Sequence, residues 1–332
     1  MLKKLILALS AAAVFGHAQA QEREYILATA TTGGTYYPVG VAISTLTKVK
    51  VQPEHGFSLS AISSSGSDEN ISMLAKDEAQ FALLQGLYGY YAWTGTGPME
   101  TAGKQEKLRS VSMLWQNVEH FLIDAKHVDK GTVSDYAALK GQRMALGAKN
   151  SGTIGSNAAM LEGLGIDIFK DYNLIYGGYD PSAEALQNRQ AAGTSIPAGA
   201  PAGSVTKLFA SVGKQIAILD VTDEELAKMD AGRNLWTRYV IPQNTYVSVE
   251  RDIQTIAQPN FLATTADVSE EDVYHLTKAV YENLGFLQGI HSATKVMALE
   301  KAIEGLPIPL HPGAARYYQE QGIDIPERLL AK

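Results

Sequence analysis

The chain has no cysteine among its 332 residues. That excludes disulfides, thiolate-bound metal and a cysteine nucleophile, and it excludes a lipoprotein, because no cysteine follows the apolar N-terminal stretch. Positive charge is also scarce: 28 Lys and Arg stand against 35 Asp and Glu, a formal net charge of −7. Nucleic acid is therefore not expected as a partner, since its binding is driven by phosphate neutralisation. Beyond the N-terminus no apolar run approaches the roughly 20 residues that a membrane-spanning helix needs.

Catalytic signatures are missing as well. No serine stands in Gly-x-Ser-x-Gly. The segment Gly147-Ala148-Lys149-Asn150-Ser151-Gly152-Thr153 has the glycine spacing of a phosphate loop but puts Thr153 where the lysine belongs and Ile154 where the hydroxyl belongs. His55, His120, His127, His275, His291 and His311 form no His-x-x-x-His pair. His120 and His127, seven apart beside Glu119, make a poor metal site, and satisfied core or surface histidines explain all six. No cofactor, no metal and no enzyme activity are expected.

The N-terminus is informative. Lys3 and Lys4 precede the apolar run from Leu5 to Phe15, which leads to Ala18-Gln19-Ala20. A charged start, a short apolar core and a small-x-small site form the pattern of a secretory signal peptide covering residues 1–20. Cleavage near Ala20 would export the protein, to the periplasm in a bacterium with two membranes, and would take the net charge from −7 to −9. About 312 residues remain, more than one core usually serves, so two lobes are expected.

The mature sequence alternates short apolar runs with helix-like segments, the pattern of an α/β fold. Strands are expected at Tyr25–Thr29, Phe57–Ser60, Phe81–Leu84, Val111–Leu114, Phe121–Asp124, Arg143–Leu146, Leu174–Tyr176, Ile216–Leu219 and Asn260–Thr264. Val39, Ala42, Ile43 and Leu46 share one helical face within Pro38–Val49, and further helices are expected at Ile154–Leu164, around Val205–Val212 and at Glu270–Leu284.

One arrangement recurs: a strand, a Gly/Ser/Thr turn, then a helix. It occurs at Thr31-Thr32-Gly33-Gly34-Thr35-Tyr36-Tyr37-Pro38, at Ser63-Ser64-Ser65-Gly66-Ser67 and at Asn150-Ser151-Gly152-Thr153, with a looser version at Pro197–Gly203. Glycine lets backbone approach a ligand closely, and hydroxyls with free N–H groups at a helix start hold an anion without a charged side chain. Each turn taken alone is better explained as ordinary N-capping. Their recurrence favours a shared carboxylate-sized site. Tyr36 directly follows the Gly-Gly-Thr turn and is a candidate ligand contact, whereas Tyr88–Trp93 reads as helix packing. Gln85 stands at the C-terminal edge of a strand, where open α/β sheets bind ligands. Asp68 and Glu69 suit the positive end of the helix after Ser67.

Taken in order, Gly33-Gly34-Thr35-Tyr36-Tyr37-Pro38-Val39-Gly40, Ser65-Gly66-Ser67-x-x-Asn70, Gln85, Ser151-Gly152-Thr153 and the tail Pro309–Tyr318 resemble the TAXI family of substrate-binding proteins, which serve TRAP transporters. The likeness runs over nearly all of residues 24–320. It implies a two-lobe clamshell of the periplasmic-binding-protein type, with a mixed sheet in each lobe and the ligand in the cleft. The implied ligand is a small carboxylate, either a glutamate- or glutamine-like amino acid or a dicarboxylate such as 2-oxoglutarate. The implied partners are the membrane subunits of an ion-gradient-driven permease, with the receptor a monomer.

Carried over residue by residue, the resemblance assigns ligand contacts to Gly34, Thr35 and Tyr36, to Ser64, Ser65 and Gly66, to Gln85, and to Ser151, Gly152 and Thr153, with Gly199 and Pro201 from a Gly-x-Pro loop. Two departures fall near the expected cleft and bear on ligand choice: Gly193-Thr194-Ser195-Ile196 lacks the family's aspartate, and Gly86 replaces a hydroxyl residue after Gln85. Crossing strands near residues 115–118 and 241–258 would divide the chain into lobe one (24–117 plus 257–332) and lobe two (118–256). A sensor presenting the same ligand, or an exported enzyme on this scaffold, is the alternative function.

Overall fold

In the computed structural model, which describes residues 22–331, the alternation read from sequence becomes two sheets flanked by helices. The signal segment expected at residues 1–20 lies outside the described residues. The chain runs β1 (Arg23–Ala28), α1 (Tyr36–Lys50), a single turn α2 (Gln52–His55), β2 (Phe57–Ile62), α3 (Ser67–Ala75), β3 (Phe81–Gln85), α4 (Gly86–Thr94) and β4 (Leu108–Val118). It continues through β5 (Phe121–Asp124), β6 (Arg143–Ala145), α5 (Gly152–Gly163), α6 (Ile168–Asp171), β7 (Asn173–Leu174), α7 (Tyr179–Gln187), β8 (Gly193–Ser195), α8 (Gly203–Val212), β9 (Ile216–Ile218), α9 (Asp223–Asp230) and β10 (Thr237–Ile241). It ends with β11 (Ile253–Thr265), α10 (Glu270–Glu282), α11 (Leu284–Ile290) and α12 (Pro312–Glu320). Among the described residues no helix is long and apolar enough to cross a membrane.

The helices form where their apolar residues align. Val39, Ala42, Ile43 and Leu46 of α1 are buried on one side, while Lys48 and Lys50 close its last turn, where cations suit the helix dipole. At the start of α10 the Ser269 side chain accepts from the Asp272 amide, and Glu270, Glu271 and Asp272 occupy the first turn.

The first sheet has six strands in the order β10-β11-β3-β1-β2, with β4 also on β11, and the second has five in the order β7-β6-β8-β5-β9. β1, β2 and β3 are parallel, and β11 enters antiparallel, so each sheet is mixed. Together they make a two-lobe clamshell. β4 and β11 run beside each other, with Trp115 opposite Asn260, Asn117 opposite Gln258 and Val118 opposite Ala257. Only Glu119 and His120 separate β4, in the first sheet, from β5, in the second.

Both long strands exceed what apolar runs suggest. Ser110, Ser112, Asn117, Thr255, Gln258 and Asn260 interrupt the apolar pattern, yet all are buried because strands and helices cover both faces. β8 carries no apolar run and β10 only Tyr239-Val240-Ile241 at its end, and neither is among the strands expected from sequence. The tail motif is architectural: His311 Nδ1 accepts from the Gly313 amide to cap α12, and a side chain at Gly313 would lie 2.1 Å from the Glu270 carbonyl oxygen of α10.

Candidate functional site

Four helix starts converge on one small cavity of about 30 Å³ between the sheets. α1 contributes Gly34, Thr35 and Tyr36; α3 contributes Ser65, Gly66 and Ser67; α5 contributes Ser151, Gly152 and Thr153; α7 contributes Gly177, Gly178 and Tyr179. Gln85 at the end of β3 and Asn117 on β4 complete the polar lining, with Pro197 and Ala198 from the loop after β8. Among the described residues, no Asp, Glu, Lys, Arg or His lines it. Helix starts leave N–H groups without intrahelical partners, so the cavity is rich in donors and poor in charge.

Local geometry explains why these sequences make turns. Gly66 caps α3 at φ 114°, in the left-handed region that favours glycine. Ser64 Oγ accepts from the Gly66 amide at 3.0 Å and contacts the Thr29 carbonyl at 3.0 Å, and Ser65 N–H donates to Glu69 Oε2 at 2.6 Å. The Ser65 and Gly66 N–H groups are therefore engaged within their own turn. In α5 the Ser151 hydroxyl caps the Ile154 amide at 3.2 Å and donates to the Ala148 carbonyl at 2.7 Å.

The two lobes touch around the cavity. Ser156 Oγ of α5 donates to Gln85 Oε1 at 3.0 Å, Tyr88 O–H donates to the Ser151 carbonyl at 3.3 Å, and the Glu69 amide donates to the Asn150 carbonyl at 3.2 Å. Gly152 permits this approach: a side chain there would place its Cβ 2.5 Å from Gln85 Oε1 and 2.9 Å from Ser67 Oγ. Thr153 Oγ1 shares a 3.2 Å hydrogen bond with the Tyr179 hydroxyl, which also donates to the Pro197 carbonyl at 2.5 Å.

Beneath the helix starts lies a floor of buried amides. Gln258 Oε1 accepts from the Leu87 amide at 2.9 Å, and its Nε2 donates to Ser156 Oγ at 3.3 Å. Asn260 Oδ1 accepts the Tyr36 hydroxyl at 2.5 Å, so that hydroxyl proton is already engaged and burial pushes the Tyr36 pKa well up. Asn117 is only 1% exposed and its Nδ2 has no partner among the described residues. The floor continues into the link between the sheets. Burial there raises the Glu119 carboxyl to about 8, partly offset by the neighbouring Trp236 and Gln258 side chains. His120 is pulled down to about 4 by burial. Its Nδ1 faces the Val118 and Ile196 carbonyls at 2.9 and 2.8 Å, so it carries the proton there, and Nε2 accepts from the Tyr246 hydroxyl at 2.7 Å.

Of the residues singled out from sequence, Gly34, Thr35, Tyr36, Ser65, Gly66, Gln85, Ser151, Gly152 and Thr153 come together in this lining. Ser64, Gly199 and Pro201 stand outside it. Ser64 braces the second turn, and Gly199 packs behind the first, its carbonyl accepting from Thr35 Oγ1 at 3.3 Å. Pro201 follows a cis peptide bond in the same loop. Sequence reading passed over Gly177-Gly178-Tyr179, although it repeats the Gly-Gly-before-helix signal of Gly33-Gly34. It also passed over Asn117, which only strand register brings to the cavity.

Comparison with solved structures gives the same architecture. The chain is similar to MatC from Rhodopseudomonas palustris, solved with bound malate, at 12% identity over 90% of this chain and 98% of that one, with a TM-score of 0.54. It is similar to the periplasmic binding protein BugD at 12% identity, 91% and 94% coverage and a TM-score of 0.52. A binding protein component of an ABC phosphonate transporter from Pseudomonas aeruginosa matches at 10% identity, 82% and 79% coverage and a TM-score of 0.51. At these identities the likeness establishes the fold. The sequence profile of the NMT1-like family matches residues 27–322, and the chain belongs to that family.

Proposed function

We propose that the protein is an exported solute receptor that closes its lobes on a small carboxylate and hands it to a membrane permease. One observation carries this reading: helix starts from both lobes meet at one cavity whose lining has no charged side chain. Such a site suits an anion held by N–H and hydroxyl groups. A charge-assisted hydrogen bond contributes about 1.5–3 kcal/mol, so a few give micromolar affinity, about −8 kcal/mol. The malate bound to MatC is in keeping with this ligand class.

The ligand class comprises glutamate- or glutamine-like amino acids and dicarboxylates such as 2-oxoglutarate. The ligand contacts are the lining residues named above. We take lobe one as 24–117 with 257–332 and lobe two as 118–256, a division with which the pairing of Val118 and Ala257 is in keeping. The ordered turn motifs support the TAXI type of receptor, and with it a periplasmic location and a TRAP-type permease.

A thermal-shift screen of C4–C6 carboxylates and amino acids tests the receptor role, because a ligand that binds only the native state raises the midpoint. Scattering by the protein with the hit added should show compaction. An unmoved midpoint across the screen, or turnover of the hit by purified protein, overturns the reading. Capture of ABC rather than TRAP membrane subunits would overturn the permease assignment alone.

A further inference from the structure

The helix starts differ in how much negative charge already sits on them. α3 begins with Asp68 and Glu69, and α7 begins with Asp180. The Asp180 carboxylate also lies against Gly33 of the α1 turn and is answered by Lys207 at 3.4 Å. α5, a helix of 12 residues, has no acidic residue in its first turn. An anion is therefore best accommodated at the start of α5, where no side-chain carboxylate competes.

A second, independent observation points to the same ligand. Asn117 lines the cavity at 1% exposure, and its Nδ2 has no partner among the described residues. Most buried side-chain amides are hydrogen-bonded, so an orphaned one that lines a cavity points to an acceptor entering there, whereas Asn260 Nδ2, likewise without a partner among the described residues, does not line it. No lining residue supplies the opposite need: there is no carboxylate in the wall to receive an ammonium group. Burying a cation without a charged partner is costly.

We infer that Asn117 is a specificity residue: its carboxamide and the first-turn N–H groups of Gly152 and Thr153 hold one carboxylate, and the site admits acids without an ammonium group in preference to amino acids. This rests on the receptor reading and narrows it. Asn117 stands on the strand that leads into the link between the lobes, so the same contact ties occupancy to closure.

Matched pairs test it, each pair sharing a carbon skeleton and differing only in oxo against ammonium: pyruvate and alanine, oxaloacetate and aspartate, 2-oxoglutarate and glutamate. Calorimetry on the full mature chain should find the oxo acid of the binding pair tighter by about 100-fold or more, the scale set by an ammonium group without a charged partner. Asn117→Ala should weaken that oxo acid by roughly 10- to 100-fold, as expected for one charge-assisted bond. Asn117→Asp should abolish binding, because a carboxylate then faces a carboxylate. Circular dichroism and the unfolding midpoint of each variant certify the fold, and Asn117→Ser replaces any variant that fails.

An amino acid bound as tightly as its oxo partner overturns the inference and leaves the receptor reading intact. Unchanged affinity in Asn117→Asp does the same. If neither member of any pair binds native protein, the inference falls, and the screen of C4–C6 carboxylates decides the carboxylate reading separately.

Discussion

The wall and the floor of the cavity are built on different principles. The wall consists of four contiguous turns, Gly34–Tyr36, Ser65–Ser67, Ser151–Thr153 and Gly177–Tyr179, that present backbone donors at helix starts. The floor consists of the side chains of Gln85 and Asn117, backed by those of Gln258 and Asn260, taken from β3, β4 and β11 and none more than 3% exposed. A backbone donor survives most side-chain changes, whereas an amide donor leaves with its side chain. The wall should therefore tolerate deletion and fail on added bulk, and the floor should do the reverse.

The largest effect should come from bulk on the wall. Gly152→Val puts a Cβ within 2.5 Å of Gln85 Oε1 and 2.9 Å of Gln85 Cδ, so the buried Gln85 side chain must leave Ser156 or the lobes must part. Ligand affinity measured by calorimetry should fall by about 100-fold or more, near 2.7 kcal/mol, with secondary structure by circular dichroism retained. Affinity near wild type would mean that the lobes do not need to meet here.

The floor should next betray itself through pH. Burial holds Glu119 protonated up to about 8, while in the unfolded chain it ionises near its ordinary 4.5. Between those values the unfolded state gains by releasing a proton that the fold retains, so this group makes stability fall as pH rises from about 4.5 through 8. Glu119→Gln should flatten that part of the midpoint-versus-pH curve. His120, held down to about 4 against an ordinary 6.5, acts oppositely and costs stability as pH falls through that range. A wild-type curve parallel to that of Glu119→Gln across the upper window would remove Glu119 from the buried link.

Removing a floor amide should cost less, but measurably. Gln258→Leu keeps roughly the volume and leaves the Leu87 amide without its acceptor, while the Ser156 hydroxyl loses one of two partners and still donates to Gln85 Oε1. An unpaired buried group costs about 1–3 kcal/mol, so denaturant unfolding should lose that much stability. No change would show that water takes over that amide.

The same contrast explains what was legible in the sequence. The wall is local: Gly-Gly-Thr before α1 and Ser-Gly-Ser before α3 can be read in a handful of consecutive residues, and with Ser-Gly-Thr before α5 and Gln85 they led to nine of the nineteen lining residues. Ser64, Gly199 and Pro201 belong to the same motifs yet stand outside the lining, because motif membership does not say which side of a turn faces inward. The floor depends on long-range pairing. Asn117 meets Gln258, and Asn260 meets Trp115 and Gln85, across separations that no periodicity records. Polar residues in β4 and β11 also hid the length of those strands, because burial there is secured by neighbours rather than by composition. The two-lobe α/β class was visible because it depends on alternation repeated along the chain.

The smallest effect should come from deletion on the wall. Thr153→Val keeps the shape of the side chain and removes one hydroxyl. Were that hydroxyl the sole partner of a buried group, the loss would reach the 1–3 kcal/mol expected of an orphan. The Tyr179 hydroxyl, however, keeps the Pro197 carbonyl as its acceptor when Thr153 Oγ1 is gone. The Thr153 backbone N–H at the start of α5 is untouched by the substitution. Affinity should therefore fall by less than about tenfold, under 1.4 kcal/mol. A loss as large as that of Gly152→Val would mean that the hydroxyl itself grips the ligand, and the wall would then work through side chains just as the floor does.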